Sequence, residues 1–136
     1  YDGIRWHVRA YCEKKRDYLD FVMSRFRGTP ELLNASEHGR KQDREWNTQV
    51  TAVVVPNPKL STTQQAIIAS DYSMTNGKLL STQRIPLMHY ALERMQVSYN
   101  SEHRDQPLQH PLVLANRAEL IEHGCRFKLK RTDMLS

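Results

Sequence analysis

The chain has 136 residues, 39% of them hydrophobic and 26% charged, which allows one ordinary domain or two small lobes but no large core. Its formal charge of +5 tilts the surface towards anionic partners, although acidic side chains are interleaved with the basic clusters near both ends. No apolar stretch approaches the roughly 20 residues of a spanning helix. No secretory leader pattern opens the chain, and Cys12 and Cys125 are too isolated for a disulfide framework or a zinc ribbon; a cytoplasmic setting without membrane contact is expected.

The chain opens at Tyr1, in the approach to a strand, which suggests a piece of a longer protein. From Arg5 to Cys12 the residues alternate, with Trp6, Val8, Ala10 and Cys12 on one face and Arg5, His7, Arg9 and Tyr11 on the other. A charged turn over 13–17 leads into a second alternating run, Tyr18 to Phe26, so an antiparallel hairpin is predicted. From Arg27 to Asn47 the pattern fails. Gly28-Thr29-Pro30 breaks the strand and residues 37–45 are nearly all polar. The segment 29–47 is therefore expected to be a linker or surface loop between a first part, 1–28, and a second, 48–136.

The second part begins with a strand over Val50–Val55 that stops at Pro56-Asn57-Pro58. Ser61-Thr62-Thr63-Gln64 has the capping-box pattern and predicts a helix over 62–72. Asn76-Gly77 supplies a turn and 78–83 a short strand. Pro86 suits the first turn of a helix whose stripe is Leu87, Met88, Ala91, Leu92 and Met95. Residues 99–111 read as a loop, 111–115 as a strand, 117–123 as a short helix and 126–130 as a terminal strand. The order β-α-β-α-β predicts a small α+β sandwich with two helices on one sheet, and the stripes around Ile67 and Ile68 and around Leu92 and Met95 are its expected core.

The chemistry expected of an enzyme finds no support in the motifs. No G-x-S-x-G, G-x-x-x-x-G-K-[ST], G-x-G-x-x-G or H-E-x-x-H pattern occurs. Of the six dispersed histidines, His103 and His110 share one polar loop, where solvated side chains are far commoner than metal ligands. No cofactor, metal or catalytic residue is expected. The polar face of the hairpin stands apart because arginine donors beside aromatic rings can grip phosphate and stack bases.

Trp6-His7-Val8-Arg9-Ala10-Tyr11-Cys12, then Arg16-Asp17 and Asp20 to Phe26, resembles the latter half of the WYL domain, with Trp6-His7-Val8 where the signature reads Trp-Tyr-Leu. Trp46, Pro56-Asn57-Pro58, Leu60-Ser61, Gln64, Asp71 to Met74, Gly77, Arg84, Tyr90 and Leu114-Ala115-Asn116 resemble the C-terminal extension of WYL transcriptional regulators, particularly the group linked to phage defence. The resemblance implies a partial Sm-like β-barrel, represented by the hairpin, followed by a dimerising extension. It also implies a homodimer, DNA contact through a winged helix-turn-helix missing from this chain, and a nucleotide or nucleic-acid-derived ligand. On that basis His7, Arg9, Tyr11 and Arg25 are the candidate ligand-binding residues. A module that holds single-stranded nucleic acid directly on the basic hairpin face is the alternative.

Overall fold

The structure is a computed structural model and is described here for residues 1–127. Its contacts divide the chain into two units, Tyr1–Asn47 and Thr48–Ser136.

In the first unit, β1 (His7–Cys12) and β2 (Asp17–Val22) form an antiparallel hairpin. Its register pairs His7 with Val22, Arg9 with Asp20 and Tyr11 with Tyr18. The connection over 13–16 is closed by Arg16 at a positive φ of 51°. The second strand ends earlier than its alternation predicts. The Met23 N–H bonds the Trp6 carbonyl at 3.0 Å, and Met23–Arg25 then winds into a 3-10 turn closed by Phe26 N–H on Met23. Arg25 therefore sits beyond the strand. The hairpin is a two-stranded sheet, and no closed barrel forms among the described residues.

Within the segment expected to link the two parts, residues 36–46 lie against the hairpin. A 3-10 turn over Arg40–Gln42 leads into Asp43, which is buried although charged. The Asn47 side chain closes the turn by donating to the carbonyls of Arg40 and Asp43, each at 2.9 Å.

The second unit contains β3 (Gln49–Pro56), α1 (Thr62–Asp71), β4 (Leu79–Arg84), α2 (Ile85–Arg94), β5 (Leu112–Leu114) and α3 (Arg117–Glu122). The sheet order is β4-β3-β5 and both pairings are antiparallel, so the predicted α+β order is observed, and α3 is the short helix predicted over 117–123. Alternation in β3 turns Val50, Ala52 and Val54 into the core, where they meet Ile85, Met88 and Leu92 from α2, Leu112 and Leu114 from β5, and Leu120 from α3. Burying side chains of this size stabilises by about 1.5–3 kcal/mol each.

Local signals fold as their chemistry requires. Ser61 Oγ accepts the Gln64 N–H at 3.1 Å while Gln64 Oε1 accepts the Ser61 N–H at 3.0 Å, which completes the capping box at the start of α1. Asn76 and Gly77 take φ values of 53° and 70°, the left-handed pair that the tight turn before β4 demands. Pro86 falls in the first turn of α2, where no amide hydrogen is needed.

Three further expectations are corrected. Ile67 is 55% exposed, and only Ile68 packs on the core; α1 has no wide apolar face, so one of two adjacent isoleucines must point outward. The segment 99–111 is not all loop, since Ser101–Asp105 forms a 3-10 turn whose Arg104 donates to the Leu114 carbonyl at 3.0 Å. Of the terminal strand expected over 126–130, Arg126 and Phe127 form no strand, and 128–130 lie outside the described residues.

Candidate functional site

Strand alternation places His7, Arg9 and Tyr11 on one face of the hairpin, and the register adds Tyr18 and Asp20 from β2. Residues 36–46 close over this face and leave a cavity of about 610 Å³ lined by Arg9, Tyr11, Tyr18, His38, Asp43 and Trp46, among others.

Arg9 is the charged centre. Its Nε and Nη2 grip the two oxygens of Asp43 as a bidentate pair, the Nη2 contact at 3.0 Å. Nη2 also reaches Glu45 at 3.3 Å and Nη1 reaches Asp20 at 3.5 Å. Partial burial opposes the charge on Arg9, but the hydrogen bond and field of Asp43, with Asp20 and Glu45 behind it, win, and its pKa moves above the usual guanidinium value. Asp43 also accepts the Trp46 N–H at 3.2 Å, which fixes the turn that delivers it.

The rest of the wall is aromatic. The Tyr11 and His38 rings stack with centroids 3.6 Å apart and planes 10° apart, while Tyr18 meets Tyr11 edge-on at 5.3 Å. The Tyr18 hydroxyl donates to the Gly39 carbonyl at 3.0 Å, and the Arg9 guanidinium lies 5.9 Å from the centre of its ring. Desolvation, followed by the nearby Asp43 carboxylate, pushes the Tyr18 phenol above its ordinary pKa, so it stays a neutral donor.

Of the four residues singled out from the sequence, Arg9 and Tyr11 line the cavity. His7 shares their strand, but its Nε2 lies 2.8 Å from Asp2 Oδ2. That carboxylate is held well below its usual pKa, first by the Arg5 N–H, then by His7 and by the Ile4 N–H. Arg25 is exposed on its 3-10 turn and does not line the cavity. Tyr18, His38 and Asp43 were not anticipated. Their only signal was the polar run over 37–45 facing an alternating strand, a pattern shared with any solvated loop. In the other unit, His103 and His110 stack with centroids 3.8 Å apart and Ser98 Oγ lies 2.6 Å from His103 Nδ1; among the described residues, no group of three or more metal-ligating side chains converges.

The cavity has donors, a cation already bound to carboxylates, and ring faces, which is the equipment of a binding surface. The second unit carries the family signature: residues 49–120 match the model described as BrxR transcriptional regulator, C-terminal dimerization domain. The match spans more than half of the chain, and the chain belongs to this family. It bears out the resemblance of this stretch to the extension of WYL-type regulators.

Relatives include proteins named DNA-binding transcriptional repressor CapW. The one from Pseudomonas aeruginosa is 35% identical over 121 residues, and the one from Escherichia coli strain KTE188 is 31% identical over 125. A third, from Stenotrophomonas maltophilia, is 29% identical over 120 residues. Each alignment covers 88% of this chain, and the chain spans 40% of the length of these relatives.

Proposed function

We propose that this chain is the ligand-sensing and dimerisation part of a cytoplasmic DNA-binding transcriptional repressor that works as a homodimer, with DNA contacted by residues outside these 136. The observation that carries the reading is the match of 49–120 to a dimerization domain on a unit with its own buried core. The names of the relatives support repression and DNA binding. Among the described residues no helix is long and apolar enough to cross a membrane.

In this reading the hairpin cavity is the sensor. An anionic ligand with a planar ring, such as a nucleotide or a nucleic-acid fragment, stacks against the Tyr11 and His38 pair and exchanges its phosphate for the Asp43 carboxylate on Arg9. His7, on the same strand as Arg9, and Arg25 make secondary contacts with the bound ligand. Because Asp43 belongs to the segment that closes the cavity, exchange frees that segment, and the ligand acts through its differential affinity for the closed and open states.

The test uses the full-length regulator and its operator in a fluorescence-polarisation assay, with nucleotides and short oligonucleotides as candidate inducers. Arg9→Ala removes both the phosphate partner and the tie to Asp43, so it is expected to weaken operator binding without inducer and to blunt the response to added inducer by about tenfold or more. An unchanged inducer response in both Arg9→Ala and Tyr11→Ala sinks the sensor reading.

One observation favours a second reading. Trp6 and Phe26 are 66% and 56% exposed near Arg5, Arg25 and Arg27, a combination suited to stacking single-stranded bases. That reading requires the 136-residue chain to bind oligonucleotides alone, with affinity falling steeply as salt rises.

A further inference from the structure

Among the described residues, the β4 edge of the second unit's sheet is open. Asn116 Nδ2 donates to Thr51 O, Val53 N–H donates to Asn116 Oδ1, and Ala115 N–H donates to Val53 O. Thr51 and Val53 therefore turn their backbone groups towards the β5 side of the sheet. The intervening Val50, Ala52 and Val54 face β4, where their partners are Gln83, Ser81 and Leu79. In β4 the residues between these, Leu80 and Thr82, consequently point their N–H and C=O groups away from the sheet. No described residue hydrogen-bonds those four groups.

Sheet edges are normally blunted by charge, proline or a bulge, because an open edge templates another strand. From Leu79 to Gln83 there is neither charge nor proline, the pairing with β3 runs without a bulge, and Leu80 is 63% exposed. The strand lies wholly inside the region matched to a dimerization domain. We infer that β4 pairs antiparallel with β4 of a second copy about a two-fold axis at Ser81, joining two three-stranded sheets into one of six.

In this register Leu80 and Thr82 each face the other's counterpart, so all four outward backbone groups are paired and the Leu80 side chains are covered by the partner. A two-fold axis makes one self-complementary strand sufficient for both sides of the interface. Lys78 and Arg84 bracket the strand on either side of the paired residues.

The inference rests on the homodimer reading above, and the measurements separate the two. Sedimentation velocity on the 136-residue chain is expected to show a dimer. Leu80→Lys and Thr82→Lys, both on the solvent side of the strand, are expected to weaken it by about tenfold or more with unchanged circular dichroism. Ile67→Lys, on the exposed side of α1, is expected to leave it intact. Amide exchange followed by NMR reads the pairing itself: the Leu80 and Thr82 amides gain protection as concentration rises through the dimer range, while those of Ser81 and Gln83 are protected throughout.

A monomeric wild-type chain overturns both readings. A dimer that survives both lysine substitutions, or that leaves the Leu80 and Thr82 amides unprotected, overturns the edge pairing and leaves dimerisation standing on another surface. Protection of those amides at every concentration also overturns it, since the edge is then covered within one chain.

Discussion

Arg9 and Asp43 decide the first unit at the level of single residues. Asp43 is 3% exposed, and a buried carboxylate persists only when its oxygens are paired, here by Arg9 and the Trp46 amide. Asp43→Ala removes the bidentate partner of the half-buried guanidinium, leaving it the longer contacts to Asp20 and Glu45, and is expected to destabilise the hairpin unit by about 1–3 kcal/mol, read as a lowered urea midpoint followed by tyrosine fluorescence. Asp2 supplies a pH dependence. Its folded pKa lies below the ordinary 3.8, so its contribution is complete above about pH 4 and is lost as pH falls through the folded value. Acid titration of wild type against Asp2→Asn, followed by circular dichroism, should show a steeper loss below about pH 4 in wild type. An identical slope in the two proteins rejects this role.

At the level of elements, the central strand β3 is paired along both sides, but by different means. Its β4 side carries a six-residue ladder, whereas β5 reaches only Val54 to Pro56. The Asn116 side-chain amide continues where β5 stops, taking the Val53 N–H at 2.8 Å and giving to the Thr51 carbonyl at 2.9 Å, as a strand backbone would. Asn116→Ala is expected to cost about 1–3 kcal/mol because two inward-facing backbone groups lose their partner. Asn116 Nδ2 also donates to Glu119 Oε2 at 3.0 Å, so Asn116→Asp, which sets a carboxylate oxygen against two acceptors, should cost more than Ala, and thermal melts of the two variants give the order. Asn57 acts similarly at the far end, its fully buried side chain donating to the His110 carbonyl at 3.0 Å and its backbone N–H to the Pro111 carbonyl at 2.7 Å. Both asparagines fall in stretches that resemble the WYL-regulator extension, but a resemblance does not say which bond each makes.

On the scale of the molecule, the second unit holds the larger core. Leu92→Ala, at a fully buried position of α2, is expected to cost about 2–5 kcal/mol and to weaken dimerisation only by unfolding that unit, so its effect on sedimentation should track its thermal melt. The hairpin unit depends instead on the Arg9 cluster and on aromatic contacts. Residues 36–46 belong structurally to the hairpin, where the polar run over 37–45 pointed to a linker. Their side chains satisfy polar groups of a strand far away in sequence, and composition cannot report that.

Period and punctuation alone determined the two strands of the hairpin, the order β-α-β-α-β, the capping box at Ser61 and the turn at Asn76-Gly77, because each depends on neighbours within a few residues. They also placed Arg9 and Tyr11 on one face, since alternation is a property of the strand itself. Tertiary structure alone decided where β2 stops, which isoleucine of α1 is buried, and that Arg9 is bound to Asp43 with His38 stacked on Tyr11. Those outcomes turn on contacts between residues far apart in the chain, or on the space left after other elements have packed. The open edge of β4 is of the same kind, because only the finished pairing of β3 shows which backbone groups remain without a partner.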